Sequence, residues 1–313
     1  TSIKGGRVSN EIIEDIASKH LGKAGDGTRV DPYKTPDMIT PDLLVGVPRV
    51  LNRTQYEIDE EDLPFVGLDS WNCYEFSCLL DNGFPVSGLL RINYSSDSKC
   101  IVESKSLKLY LNSFNMHKTS KTVEGAIKFV QDRVEHDLLD ILGTLSVDIT
   151  LHLNEGDVKA PVHDQYIKLE DTVDVELVEF TRYNEDPDIL EVIDSTGITK
   201  LSSSVLRSNC RVTNQPDWGD VFVYIEGDKT ITPESLLQYI VSMRKENHFH
   251  EEVCECIYKR LHDLLQPEGL IVTCLYTRRG GIDINPLRAS SDELVNQQAI
   301  SLSENITRKT MRQ

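Results

Sequence analysis

The sequence lacks both of the glycine-rich patterns that most often bind nucleotide phosphates. Neither Gly-x-Gly-x-x-Gly nor Gly-x4-Gly-Lys-Ser/Thr occurs in its 313 residues. A Rossmann site and a P-loop are therefore unsupported, and any dinucleotide must bind in another arrangement. No apolar run approaches the roughly 20 residues that span a bilayer, and Thr1–Gly6 does not show a charged-then-apolar signal pattern. We expect no membrane association.

Positive charge is also scarce. Lysine and arginine number 33 against 51 acidic residues, which gives a net charge of −18. Such a surface repels phosphate backbones and anionic lipids, so direct binding of nucleic acid is not expected. A small-molecule ligand fits better. If that ligand carries phosphates, the few cationic side chains must be concentrated around it.

A paired-cysteine framework is missing as well. The seven cysteines are odd in number and scattered, which favours a reducing compartment and predicts a cytoplasmic protein. A hydrophobic content of 39% with 27% charged residues is typical of a globular chain with a real core. The cysteines are Cys73, Cys78, Cys100, Cys210, Cys254, Cys256 and Cys274.

The chain divides into an N-terminal arm and two halves with a similar order of elements. Residues 1–45 are polar, with one short helical pattern over Glu11–His20. We predict a first module over residues 46–170 and a second over residues 171–313. The two halves differ strongly in sequence, so the predicted repeat is one of architecture.

Each half reads as strands, a helical segment and further strands. A helix is predicted from Thr122 to Leu142, where apolar residues recur every three to four positions, and Gly143 suits its C-cap. Thr232 and Pro233 predict the start of another helix, and a third is expected over 249–265. Together the pattern predicts an α+β fold with an antiparallel sheet and helices on one face. The strand-like runs are 73–80, 85–95, 100–112, 145–153, 205–213, 220–227, 269–277 and 281–285.

The segment Ser208–Gly219 carries a thiol and an acid seven residues apart. Cys210 ends a strand-like run, and Asp217 lies in a predicted Pro-Asp-Trp-Gly turn beside an indole. A thiol with a nearby proton shuttle can attack an electrophilic carbon, and a carboxyl group with a raised pKa can donate the proton. A buried structural cysteine beside an ordinary turn is the alternative, and these residues alone favour it.

His250 and Glu251 begin the predicted helix over 249–265. A histidine there can exchange a proton with a substrate, and a carboxylate can accept two hydrogen bonds from a guanine-like N–H edge. Both residues could equally cap the helix. His250 and Cys254 share a helix face, but no second ligand pair accompanies them, so we predict no metal site.

Two further segments concentrate positive charge. Glu103–Asn115 alternates polar and apolar residues, which predicts a strand whose outer face carries Lys108 and a cluster of serine and lysine suited to phosphate or ribose. Arg278–Gly281 places two arginines before two glycines, a turn that can grip phosphate. A solvated strand face and a simple hairpin turn are the alternatives.

Taken together, these four segments resemble the NADPH-dependent 7-cyano-7-deazaguanine reductase family in its two-module form. The likeness runs from about Leu44 to Arg288 and includes Glu103–Tyr110, Ser208–Cys210 with Pro216–Gly219, Phe249–Glu251 and Arg278–Gly281. It implies tandem tunnelling-fold modules that pair as homodimers. It also implies the four-electron reduction of a nitrile with NADPH, within queuosine biosynthesis for tRNA.

The resemblance also implies roles for individual residues. Cys210 would attack the nitrile to give a covalent thioimide, Asp217 would protonate the nitrogen, and His250 would be a second proton partner. An amidinotransferase-like relative, acting on the same nitrile without NADPH, is the alternative. The implied substrate contacts are Val102, Glu103, Ser104, His250 and Glu251, and the implied NADPH contacts are Ser104, Lys105, Arg279 and Gly280.

Overall fold

One large sheet runs through both halves of the chain. A computed structural model describes residue 36 and residues 38–153, 165–211 and 214–297; the helix predicted over Glu11–His20 lies outside them. The strand order is β6-β3-β2-β11-β10-β9-β8-β7, with β5 beside β2, and every pairing except β2–β5 and β7–β8 is antiparallel. The strands are β1 (Gly46–Pro48), β2 (Val66–Leu80), β3 (Pro85–Ser95), β4 (Cys100–Val102), β5 (Lys118–Ser120), β6 (Val147–His152), β7 (Ile167–Lys168), β8 (Val192–Asn209), β9 (Pro216–Ile231), β10 (Gly269–Tyr276) and β11 (Ile282–Ala289).

The helices begin and end largely where local signals predict. Thr122 accepts from the backbone N–H of Gly125 at the start of the long helix, and Gly143 closes it with a φ of 61°. Thr232 and Pro233 start the helix after β9 as expected. The helices are α1 (Val50–Arg53), α2 (Ser104–Asn112), α3 (Val123–Leu142), α4 (Leu169–Thr172), α5 (Pro233–Ser242), α6 (His250–Leu265) and α7 (Asp292–Gln297).

The apolar core lies between the sheet and one layer of helices. In α3 the fully buried residues recur every four positions, from Ala126 through Val130 and Val134 to Leu138. They pack against β2, β3 and β6, while α5 and α6 cover β8, β9 and β10. The α+β prediction with an antiparallel sheet is therefore confirmed.

The short helix α7 departs from the one-face prediction. Its Leu294 packs with Ile271, Leu275 and Leu287. Strand alternation places these on the side of the sheet opposite the α6-facing residues, such as Val272. An apolar cluster remains on that side, and α7 covers part of it.

The prediction of a strand over 100–112 is wrong beyond Val102, because the chain turns there into helix α2. The Glu103 carboxylate accepts from the backbone N–H groups of Lys105, at 3.0 Å, and Ser106, at 2.7 Å, and so caps the first turn. Leu107, Tyr110 and Leu111 are buried at helical spacing. Leu107 and Leu111 would also lie on one face of a strand, whereas Tyr110 would lie on the opposite face. The burial of Tyr110 together with both leucines therefore distinguishes the helix from a strand.

The two halves meet at strands β2 and β11. Their antiparallel register runs from Cys73 opposite Ile282 to Val66 opposite Ala289. This pairing places the turn before β11 next to the first half of the chain. There the backbone N–H of Tyr74 donates to the carbonyl of Gly281. Among the described residues, no helix is long and apolar enough to cross a membrane.

Candidate active site

Cys210 lies immediately after strand β8, in the loop that joins it to β9. Its N–H donates to the carbonyl of Gln215 at 2.8 Å, and its own carbonyl accepts from Asn214 at 2.9 Å. Asn214 adopts a left-handed φ of 54°, which asparagine tolerates. The residue that bears the thiol is half-buried. The two backbone hydrogen bonds hold Cys210 against Asn214 and Gln215, the residues that lead into β9.

The region before α6 anchors this loop from the other side. Asn209 donates its N–H to the carbonyl of Glu246 and accepts from the N–H of His248, at 2.7 and 3.0 Å. The guanidinium of Arg211 pairs with Glu252 at 3.1 Å. These contacts join the Cys210 loop to the start of the helix that carries His250 and Glu251.

Asp217 lies inside strand β9, so the turn predicted at Pro216–Gly219 is wrong. The register pairs Asp217 with Ser208, which places the carboxylate beside the end of β8. Neighbouring strand residues point to opposite faces. Trp218 accordingly lies under Arg207 and Arg244, with their guanidinium carbons 5.8 and 5.2 Å from an indole ring centroid. By strand alternation the indole of Trp218 is therefore on the face of β9 opposite to Asp217, and not beside its carboxyl group as predicted.

Both oxygens of Asp217 are engaged. Oδ1 is 2.5 Å from Nη1 of Arg279, and Oδ2 is 3.3 Å from Nε2 of His250. Burial acts to raise the pKa of Asp217, but the hydrogen bonds and charges of His250 and Arg279 outweigh it and hold the pKa below its usual value. The predicted raised pKa is therefore wrong for this arrangement, in which Asp217 is a carboxylate.

His250 is the first residue of α6 and is held by an aromatic neighbour. Its ring stacks on Tyr276 of β10, with centroids 3.9 Å apart and planes 12° from parallel. Nδ1 is buried without a hydrogen-bond partner among the described residues. The helix start and the stack together fix the imidazole against Asp217.

Glu251, the next residue, is a buried carboxyl group with an unused acceptor. Its exposure is 1%, and Oε1 has no hydrogen-bond partner among the described residues. Burial, together with the charge of Asp69, raises the pKa of Glu251 to about 8 despite the opposing charge of Arg49. A ligand with paired N–H donors would supply the partners that this group lacks.

Helix α2 brings Lys108 to the arginine–glycine turn. Gly280 and Gly281 have φ values of 59° and 80°, and a Cβ on Gly280 would lie 2.9 Å from Nζ of Lys108. Lys108 also pairs with Glu75 at 3.5 Å. The two cationic segments therefore converge on one groove, as phosphate binding requires. The groove is lined by Cys73, Glu75, Phe76, Lys108, Leu111, Asn112, Gly280, Gly281 and Ile282.

The sequence-predicted residues fall into two linked groups. Asp217 contacts both His250 and Arg279, and Glu251 follows His250 at the start of α6. Cys210 lies two residues beyond Ser208, the strand partner of Asp217, and Arg279 adjoins Gly280, which faces Lys108 on α2. Val102 is buried at the end of β4, and Ser104 and Lys105 are exposed on the first turn of α2. Among the described residues, no group of three or more histidine, cysteine or acidic side chains is arranged to hold a metal ion.

A buried ionic network behind the site has no counterpart in the sequence-based predictions. Asp69 is bound by Arg49 and Arg288, at 2.5 and 2.9 Å. Glu255 is bound by Arg53 and Arg288, at 2.8 and 2.9 Å. Burial alone would raise the pKa of both acids, but the arginines hold both below their usual values. The network connects α6 to the first half of the chain. In the sequence, it is indicated only by charged residues, such as Arg288, at strand positions that face the helices.

Comparison with known proteins identifies the family of this chain. The model for the N-terminal region of nitrile reductase, 7-cyano-7-deazaguanine-reductase, matches residues 35–151, and the model for QueF-like protein matches residues 216–294. An NADPH-dependent 7-cyano-7-deazaguanine reductase of Colwellia psychrerythraea is 41% identical over 262 residues, which cover 81% of this chain and 88% of the relative.

Two further relatives carry the same name. The protein of Legionella pneumophila strain Lens is 35% identical over 93% of this chain and 96% of its own length. That of Dechloromonas aromatica is 36% identical over 87% and 92%. The chain belongs to the family of NADPH-dependent 7-cyano-7-deazaguanine reductases. The apo archaeosine synthase QueF-Like aligns at a TM-score of 0.29 and 18% identity, over 30% of this chain and 94% of that one.

Proposed function

We propose that this protein reduces the nitrile of 7-cyano-7-deazaguanine to an aminomethyl group, with NADPH, through a thioimide on Cys210. The observation that carries the proposal is the contact of Asp217 with His250. It joins the cysteine-bearing hairpin to the helix that presents Glu251. This contact supports a site in which a nucleophile, a proton-transfer pair and an acceptor for a purine-like edge act on one substrate.

Glu251 supports the choice of substrate. A 7-deazaguanine presents adjacent N–H donors, and a buried carboxylate with a free oxygen is their natural acceptor. Val102, Glu103 and Ser104 are the further substrate contacts that we propose. The Glu103 carboxylate already caps α2, but a carboxylate accepts about four hydrogen bonds and retains capacity for a ligand.

The covalent step is redox-neutral and needs no reductant. The sulfur of Cys210 bonds to the nitrile carbon, one C–N π bond is replaced, and the nitrogen gains a proton to give the thioimide. The net change is addition of S–H across the triple bond. The Asp217–His250 pair is the proposed proton source, and it is replenished by the proton that the thiol gives up.

The groove beside the arginine–glycine turn suits NADPH. Lys108, Arg278 and Arg279 bring three cations to a turn whose glycines permit close backbone approach, in a chain of net charge −18. Ser104, Lys105, Arg279 and Gly280 are the proposed contacts. When bound, NADPH supplies the hydrides, and two equivalents account for the four electrons between nitrile and amine.

We further propose that residues 46–170 and 171–313 are tandem tunnelling-fold modules, preceded by an arm over residues 1–45, and that two chains pair as a homodimer. The two family-model matches, one in each half, support the division. The acidic surface supports action on the free base before it enters tRNA during queuosine synthesis. Light scattering of the purified protein tests the dimer.

The decisive experiment uses the full chain with 7-cyano-7-deazaguanine. Without NADPH, mass spectrometry should find an adduct equal to protein plus substrate mass, which Cys210→Ala abolishes. Cys100→Ala, at another half-buried cysteine, is the matched control and should retain it. With NADPH, the loss of nicotinamide absorbance should accompany formation of the aminomethyl product. Two equivalents of NADPH should be oxidised for each equivalent of product. An adduct that survives Cys210→Ala, or bound substrate without NADPH oxidation, would overturn the proposal.

A further inference from the structure

Each carboxylate oxygen of Asp217 already has a partner, so neither is free to carry a proton to a substrate. Arg279 holds Oδ1 and His250 faces Oδ2, and the side chain is 3% exposed. Arg279 also makes a second, exposed contact, in which its Nη2 donates to the side-chain carbonyl of Gln215. In this arrangement the carboxylate is a charge-paired base. Protonation of a nitrile therefore requires that one partner leave.

The two partners differ in their freedom to move. His250 is the first residue of a long helix and stacks on the buried Tyr276 at 3.9 Å. Arg279 has a side chain 36% exposed and precedes two glycines with positive φ. It also adjoins Gly280, where a Cβ would lie 2.9 Å from Nζ of Lys108 in the cationic groove. Arg279 is the partner that can move, and an anion in the groove is what would attract it.

We propose that Arg279 is a positioning residue that keeps Asp217 ionised until its guanidinium exchanges Asp217 for a phosphate of the bound cofactor. The proposal rests on the proposed function and adds a link between cofactor occupancy and the proton on Asp217. His250, Arg279 and Tyr276 are the titratable or charged groups that face this carboxyl. Once Arg279 leaves, Asp217 loses one of the two partners that favour its ionised form, while burial continues to favour the protonated acid.

Adduct formation without NADPH provides a direct test. An opposite charge in contact lowers the pKa of a carboxyl group by roughly 1–3 units, so its removal should raise the adduct rate near pH 7 by about tenfold or more. We expect this acceleration in Arg279→Ala. We also expect it in the unaltered protein on addition of adenosine 2′,5′-bisphosphate, the phosphate-bearing part of the cofactor without nicotinamide. Rates are followed by mass spectrometry from pH 5 to 9.

Arg133→Ala is the matched control. It removes the same charge from a similarly exposed arginine, which pairs with Asp137 on α3 instead of with Asp217. Its adduct rate should match that of the unaltered protein, and Asp217→Asn should abolish the response to the bisphosphate. Binding of the bisphosphate should also take up a proton, measured by calorimetry in buffers of different ionisation enthalpy, and Asp217→Asn should remove that uptake.

The outcomes separate the two proposals. If the unaltered protein forms no adduct, the proposed function fails, while proton uptake on bisphosphate binding still tests the exchange. If the adduct forms but Arg279→Ala does not accelerate it, the inference is wrong and His250 alone delivers the proton. If Arg279→Ala accelerates it but the bisphosphate neither accelerates it nor causes proton uptake, the exchange with phosphate is wrong.

Discussion

Glu251 is a carboxyl group that the fold leaves neutral near pH 7. Its pKa is raised to about 8 by burial and by the charge of Asp69, whereas Glu255, one helical turn later, is ionised by three arginines. The two acids face different surroundings on one helix. A neutral Glu251 must lose its proton before it can accept two hydrogen bonds from a substrate edge.

Substrate affinity should therefore rise with pH. Below about 8 the protonated form of Glu251 dominates, so binding releases a proton, and affinity should increase by up to about tenfold per pH unit until it levels near pH 8. Calorimetry on the Cys210→Ala protein between pH 6 and 9 measures this without adduct formation.

The control for that series is Glu251→Gln. Its affinity should be lower at pH 8, because a charged acceptor is lost, and should not vary with pH in this window. A pH-independent affinity in the protein that retains Glu251 would contradict the assigned role.

Helix α2 and the arginine–glycine turn lie close together although they are distant in sequence. Lys108 lies where a side chain on Gly280 would be, and Glu75 from the irregular segment of β2 pairs with the same lysine. A side chain on Gly281 would collide with the Glu75 carboxyl group at 2.3 Å. Glu75 thus places a negative charge in the groove that we propose for the anionic cofactor.

Glu75→Gln should lower the KM for NADPH. The ion pair is partly exposed, and such pairs contribute about 0.2–1 kcal/mol, which corresponds to an improvement of up to about fivefold. The improvement in KM should vanish at high salt, because screening weakens the attraction of Lys108 both to Glu75 and to the cofactor. Asp132→Asn removes a similar exposed pair with Lys128 on α3 and should leave the KM unchanged. An unchanged or higher KM in Glu75→Gln would count against a competing role for this carboxylate.

At the scale of the whole molecule, the buried network of Arg49, Arg53, Asp69, Glu255 and Arg288 joins the two halves. Two acids accept from three guanidinium groups, and all five side chains are at most 3% exposed. Complete pairing is required, because an unpaired buried charge costs several kcal/mol.

Arg288→Met should destabilise the protein by about 3–5 kcal/mol, since it leaves Asp69 and Glu255 short of partners while nearly preserving side-chain volume. Urea unfolding near pH 7 measures the loss. Arg133→Met breaks the partly exposed pair with Asp137 on α3 and should cost no more than about 1 kcal/mol. Equal losses in the two variants would show that the network does not stabilise the joined halves.

The sequence by itself determined the elements whose signals are local. The four-residue spacing in α3, its Thr122 and Gly143 caps and the Thr232–Pro233 start all act within one or two helical turns. Family membership was likewise accessible, because each motif is a short run of neighbouring residues.

The tertiary structure decided whatever depends on distant partners. The ionisation of Asp217 is set by His250 and Arg279, which arrive from a helix and a turn far along the chain. Helix α2 prevailed over a strand because Tyr110 could be buried only in helical register against the core. The Arg288 network required the β2–β11 pairing. Electrostatics and burial depend on separation in space, which local periodicity does not encode.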